Sequence, residues 1–243
     1  MIVAHRGASR QAPQNTLPAF KLAWESGADA IEGDFHLTGD GHIVCVHDDN
    51  MKRVSDKDLV IKESTLDELR GLDVGAYHDK HYRGTVIPTI AEVFSTIPDS
   101  KKIYIEIKCG TEIIPRLLEE IEKSGLKQEQ IVVISFNTKV IQAFKVEAPR
   151  FKAFWLSVFE KDTSGKITPS IETVLDTLKQ TKADGFSSHK DIISEQFIRR
   201  VMENGYEYHV WTVDDLKTAR LFKNWGARSI TTNVPDYMKK NLA

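Results

Sequence analysis

One rhythm constrains this chain more than any single residue does. Short β-like apolar runs alternate with amphipathic helical stretches from one end to the other. Residues 2–4 read as a strand. Residues 15–26 read as a helix, with Leu17, Phe20, Ala23 and Trp24 on one side and Gly27 as its stop. Strand-like runs follow at 28–35, 103–107, 131–134, 152–156, 184–186, 206–211 and 228–231. Helical stretches lie near 112–124, 139–146, 171–179, 195–203 and 215–224, and a last one follows Pro235. Strands that alternate with helices build a parallel sheet, so the fold class is α/β. Eight such units in 243 residues suit a closed (β/α)8 barrel. The alternative, an open doubly wound sheet, usually carries a glycine-rich phosphate turn after its first strand. Here that strand ends in His5-Arg6-Gly7-Ala8-Ser9, which is no such turn.

Two segments break the rhythm. Thr38-Gly39-Asp40-Gly41 separates 28–35 from the apolar run 43–46. So short a link cannot make a parallel crossover, and Asp-Gly is favoured hairpin chemistry, so 43–46 is predicted to return antiparallel beside the second strand. Residues 49–88 fit no simple unit. They read as an insertion of loops with a short helix over 66–70, capped by Ser64 or Thr65. No linker-like break divides the chain, so residues 1–243 are expected to form one barrel domain carrying this insertion at about 49–88.

Composition narrows the function. Lys and Arg number 33 against 35 Asp and Glu, a net charge of −2. No global basic field is present to hold nucleic acid, so an anionic ligand must be held by local charges. No apolar run reaches the ~18 residues of a membrane span. The two cysteines, Cys45 and Cys109, are expected to be reduced structural thiols. No signal peptide opens the chain, which points to the cytoplasm; removal of a leader would instead point to a secreted or periplasmic site.

Active sites of closed α/β barrels lie at the C-terminal ends of the strands. The first strand ends in His5-Arg6. The second reads Ala30-Ile31-Glu32-Gly33-Asp34-Phe35, which puts Glu32 and Asp34 on one face. The third reads Ile103-Tyr104-Ile105-Glu106-Ile107-Lys108, with Glu106 and Lys108 on the face opposite the isoleucines. Glu32, Asp34 and Glu106 make a hard oxygen set that suits Mg²⁺ or Ca²⁺ better than zinc or iron. His47 returns on the hairpin beside them, and His5 ends the neighbouring strand. A divalent metal plus two histidines is an inventory for phosphoester cleavage, one histidine taking a proton and the other giving one. Arg6 offers a fork to phosphate oxygens, and Lys108 a point charge. Trp211 ends a strand, where it serves either as a pocket wall or as simple barrel packing. His36, His42, His78, His81, His189 and His209 are mostly loop or surface by position and are given structural roles; His209 shares a strand face with Trp211. Tyr77 to Tyr82 are candidates for covering the site.

The spaced set His5-Arg6-Gly7, Pro13-Gln14-Asn15-Thr16, Gly27 to Asp34, Thr38-Gly39-Asp40-Gly41, His47-Asp48 and Glu106-Ile107-Lys108 resembles the glycerophosphodiester phosphodiesterases. Trp211-Thr212-Val213-Asp214 and Thr231 to Asp236 are similar to that family's closing pattern, so the resemblance runs from about residue 2 to about residue 238. It implies a TIM barrel with a small insertion after the His-Asp pair. It also implies a metal on Glu32, Asp34 and Glu106, an acid/base pair in His5 and His47, and phosphate contacts from Arg6 and Lys108. The implied reaction is attack of the substrate's own glycerol hydroxyl on phosphorus. A cyclic phosphate forms and water opens it, giving sn-glycerol 3-phosphate and an alcohol.

Two positions depart from the family's pattern. Gln14 stands where the family usually has glutamate, and Asn233 where it has aspartate. Two other readings share the same residues. One is a phospholipase D-like barrel acting on lysophospholipids, which would need an apolar channel or membrane-facing loop; the absence of an exposed aromatic-rich or basic amphipathic stretch counts against it. The other is a non-catalytic phosphodiester-binding homologue, from which acid/base or metal groups are usually lost; all five are present here.

Overall fold

The β-branched runs pair edge to edge because each is flanked by helices long enough to cross back over the sheet. In a computed structural model, which describes residues 1–242, the runs form strands β1 (Ile2–His5) and β2 (Ala30–Leu37), then the hairpin return β3 (Ile43–Cys45). After them come β4 (Lys102–Ile107), β5 (Ile131–Ser135) and β6 (Lys152–Ser157), a small hairpin of β7 (Glu160–Lys161) and β8 (Ile167–Thr168), and then β9 (Gly185–His189), β10 (Glu207–Trp211) and β11 (Ser229–Thr232). The order β1-β2-β4-β5-β6-β9-β10-β11 is parallel throughout, and β11 pairs back onto β1. The eight-stranded barrel predicted from the alternation is therefore closed.

Helices α1 (Leu17–Glu25), α2 (Leu66–Arg70) and α3 (Ile90–Phe94) all precede β4. Then α4 (Ile114–Ser124), α5 (Thr138–Glu147), α6 (Ile171–Thr181), α7 (Glu195–Glu203), α8 (Leu216–Asn224) and α9 (Pro235–Asn241) follow the later barrel strands. Thr16 caps α1, its hydroxyl accepting from the Ala19 N–H. Thr65 caps α2 in a reciprocal box with Glu68. Helix α3 was not predicted. Five residues are too few to show a period, although Thr89 and Glu92 form the same box there. The β7–β8 hairpin was likewise missed, its strands being two residues each.

The core has three parts. Phe20, Ile31, Phe35, Phe186 and Phe222 fill the layer between strands and helices. Val3, Ala30, Tyr104, Val132, Ile134, Phe154 and Leu156 fill the barrel lumen. The insertion is more than loops. Its Met51, Val54, Ile61, Leu69 and Ile87 pack with Val44 and Val46 of the hairpin return into a cluster separate from the barrel's. Cys45 and Cys109 are free thiols, as expected. Among the described residues no helix is long and apolar enough to cross a membrane.

Candidate active site

Strand β1 runs into a turn that sets the first two site residues. Arg6 takes φ +56° and Gly7 φ +81°. A Cβ on Gly7 would lie 2.6 Å from the Ala19 carbonyl carbon, so only glycine lets the chain turn so close over α1. The turn aims the Arg6 backbone N–H at Glu32 Oε2, 2.9 Å away. The register then stacks the acids side by side: His5 is level with Glu32, and Asp34 with Glu106.

One oxygen from each of Glu32, Asp34 and Glu106 lies within 4.8 Å of the others. All three are buried, Asp34 completely. Glu32 Oε1 and Asp34 Oδ1 have no hydrogen-bond partner. Two orphaned carboxylate oxygens inside a three-carboxylate cluster fit a hard divalent cation. The surrounding cations are arranged around the same group. Arg6 Nε lies 3.0 Å from Asp34 Oδ2, and Lys108 Nζ lies 2.7 Å from Glu106 Oε1 and 3.6 Å from Asp34 Oδ1. Asn15, also with positive φ, donates through Nδ2–H to Asp34 Oδ2 at 2.8 Å and accepts the Asp34 N–H at 3.2 Å.

These neighbours divide the three acids. Burial, with the negative charges of Asp34 and Glu106 beside it, pushes Glu32 well above the usual carboxylate range. Burial and Asp34 push Glu106 up to about 7, against the pull of Lys108. Burial would raise Asp34 too, but Arg6 and Lys108 outweigh it and hold Asp34 low.

The two histidines flank the cluster with different supports. His5 Nδ1 meets Asn233 Oδ1 at 2.7 Å. His47 Nδ1 meets Asp48 Oδ1 at 2.6 Å, and Arg53 Nε donates to the other oxygen of Asp48 at 2.6 Å. Burial and the Arg6 charge push His5 down to about 4. Burial also lowers His47, against the pull of Asp34 and Asp48.

A cavity of about 110 Å³ brings together His5, Arg6, Glu32, His47, Glu106, Lys108 and Trp211. Asp34 lies behind them in the acid cluster. One side of the cavity is charged. The other is apolar, made by Ile134, Phe136, Leu156 and Trp211. Phe136 sits edge-on to Trp211 at 5.5 Å, with Lys108 Nζ 5.8 Å from its ring centre. The structure thus puts Trp211 on the cavity wall.

Some assignments change. His36 and His209 are not loop or surface residues: both are buried. His36 follows Glu32 and Asp34 on the same face of β2 and points its Nε2 at the His47 carbonyl, 3.2 Å away. His209 lies in the lumen, stacked on Phe154 at 4.2 Å. Both belong to inward faces, where a barrel core admits polar groups that periodicity cannot separate from surface ones. The stretch 77–82 does not line the cavity. Tyr82 instead donates to the Gln11 carbonyl at 3.0 Å, tying the insertion to the β1–α1 loop. Sequence reasoning also missed Asn15 and Phe136 as site residues. The only signal for Asn15 was its place in the Pro-Gln-Asn-Thr run, and nothing marked Phe136.

Residues 5–237 match the model of the Glycerophosphoryl diester phosphodiesterase family. The chain belongs to that family. It is 32% identical over 243 residues to a glycerophosphodiester phosphodiesterase of Caldanaerobacter subterraneus subsp. tengcongensis, covering 97% of this chain and 95% of that one. A Bacillus subtilis glycerophosphodiester phosphodiesterase is 26% identical, covering 99% and 85%. Among solved structures, a phosphodiesterase of Oleispira antarctica in complex with the product sn-glycerol-3-phosphate superposes with a TM-score of 0.89 at 26% identity, covering 100% of this chain and 96% of that one. A Thermotoga maritima glycerophosphodiester phosphodiesterase gives 0.79 at 26% identity, covering 98% and 96%. As a glycerophosphoryl diester phosphodiesterase family member, the chain is a phosphodiester hydrolase. Its departures from the family's pattern now have places. Gln14 Oε1 accepts from Arg6 Nη1 at 2.7 Å. Asn233 is the partner of His5.

Proposed function

We propose that this enzyme cleaves glycerophosphodiesters to sn-glycerol 3-phosphate and a free alcohol, with His5 and His47 as its proton carriers. The observation that carries this reading is the convergence of two partnered histidines on one buried three-carboxylate cluster within a single small cavity. The product named for the Oleispira antarctica relative supports the glycerol phosphate half of the substrate.

Arg6 and Lys108 bind the phosphodiester oxygens, the guanidinium as a fork and the ammonium as a point charge. Glu32, Asp34 and Glu106 hold a divalent cation, Mg²⁺ or Ca²⁺, which when bound neutralises phosphate oxygens. Phe136 and Trp211 face the apolar parts of the substrate and exclude water. A glycerol hydroxyl oxygen forms a bond to phosphorus as the bond to the leaving oxygen breaks. One histidine takes the hydroxyl proton and the other protonates the leaving alcohol. In the second half water adds to phosphorus, the ring P–O bond breaks, and the same histidines return the protons in reverse.

The test is release of glycerol 3-phosphate from glycerophosphocholine and glycerophosphoethanolamine with added Mg²⁺ or Ca²⁺. Chelator should abolish it, and His5→Ala and His47→Ala should each lower kcat by about 10²–10⁴-fold. No release from any glycerophosphodiester, or full activity in His5→Ala, overturns the reading. Cleavage of lysophosphatidylcholine in place of these substrates moves the enzyme to a phospholipase D-like chemistry.

A further inference from the structure

The segment after β10 and the end of β11 meet behind His5. Asp214 accepts from the Thr232 hydroxyl at 2.9 Å, from the Asn233 backbone N–H at 2.8 Å, and from Asn233 Nδ2–H at 2.7 Å. The last contact fixes which way the Asn233 amide points. A carboxylate only accepts, so the NH2 group must face Asp214 and the carbonyl oxygen must face the other way. That oxygen accepts from Ser9 Oγ–H at 2.9 Å and meets His5 Nδ1 at 2.7 Å. An amide carbonyl cannot donate. The proton on that ring must therefore sit on Nδ1, which leaves Nε2 as a bare lone pair on the cavity side.

From this chain of contacts we infer that Asp214 and Asn233 are positioning residues that lock His5 in its Nδ1–H tautomer. His47 Nδ1 also faces an acceptor, Asp48, but a carboxylate favours the imidazolium where a neutral amide does not. His5 therefore accepts the glycerol hydroxyl proton and His47 is the first donor. The inference rests on the function proposed above for its catalytic meaning, although the tautomer itself does not. The arrangement is a histidine oriented by a third group, with a neutral amide set between imidazole and carboxylate. Asp214 acts at one remove. It orients the amide, and the amide orients the ring.

The experiment is ¹⁵N NMR of histidine-labelled enzyme at pH 8, with the His5 signals assigned by their loss in His5→Gln, combined with steady-state kinetics on glycerophosphocholine. Native enzyme should show one His5 tautomer, protonated at Nδ1. Asn233→Leu should show both tautomers and lose about 10²-fold in kcat, while KM moves by less than about threefold. Asn233→Asp combined with Asp214→Asn exchanges acceptor and donor along the chain, and should restore both the single tautomer and kcat. An Nε2–H tautomer in native enzyme overturns the inference, as does native kcat in Asn233→Leu or failure of the double exchange to exceed Asn233→Leu. If no glycerophosphodiester is cleaved, the proposed function fails while the tautomer measurement still decides the role of Asn233.

Discussion

Glu106 shows how a site residue can work against the fold that holds it. Its carboxyl titrates near 7 because burial and Asp34 disfavour the ionised form. The folded state therefore holds this proton more tightly than the unfolded chain does. Stability from this group is highest at low pH and falls as pH rises toward and past 7. In chelator at pH 8, Glu106→Gln should melt above the native enzyme, with a gain on the order of 2 kcal/mol. Below pH 6 the gain should shrink, because native Glu106 is already protonated there. Activity should be lost at every pH. Calorimetry of both proteins from pH 5.5 to 8 checks this; a lower melting temperature for the variant at pH 8 contradicts it. Glu106 was legible in the sequence because it interrupts an apolar strand on the face opposite the isoleucines. Asn15 was not, because its work is done by a backbone turn and a side chain that meet β2 only in the folded chain.

The elements that carry the site are held by short devices. Helix α3 is one of them. The Thr89 hydroxyl accepts from the Glu92 N–H and Glu92 accepts the Thr89 N–H at 2.8 Å, while Arg70 of α2 also pairs with Glu92. The Pro88 carbonyl meanwhile accepts the Cys45 N–H at 2.9 Å, covering the open edge of β3 just before His47. Thr89→Ala should cost about 1 kcal/mol of stability by loss of the cap, measured as a shift in urea midpoint with unchanged slope. A change below a few tenths of a kcal/mol would show that tertiary packing alone holds this turn. Most elements were legible, because alternation of period 2 and period 3.6 survives in the long runs. The hairpin was legible from Asp-Gly, and β3 does pair with β2 from Phe35 opposite Cys45 to Leu37 opposite Ile43. What periodicity does not carry is which strands become neighbours. Asp34 stands level with Glu106 only because β4 pairs with β2 after the chain has left for the insertion and returned.

At the scale of the molecule, the barrel and its insertion are packed as separate apolar clusters. Phe186 lies in the larger one, fully buried between Trp155, Phe159, Phe197 and Tyr208. Phe186→Ala should cost about 3–5 kcal/mol and lower the melting temperature, while kcat at 25 °C changes little, since none of those rings reaches the acid cluster. Loss of kcat in well-folded variant would mean that this layer tunes the site. The insertion touches the site through Arg53, whose grip on Asp48 steadies His47. A closed barrel also joins its first strand to its last. His5 waits for a partner 228 residues further along the chain. At a ribosomal pace of ~5–20 residues per second, roughly 11–46 s separate the synthesis of the two. A nascent chain that stalls before β11 carries both histidines and all three acids, yet lacks the strand that closes β1 and the amide that orients His5. Catalysis thus begins only after β11 and the turn beyond it have been made.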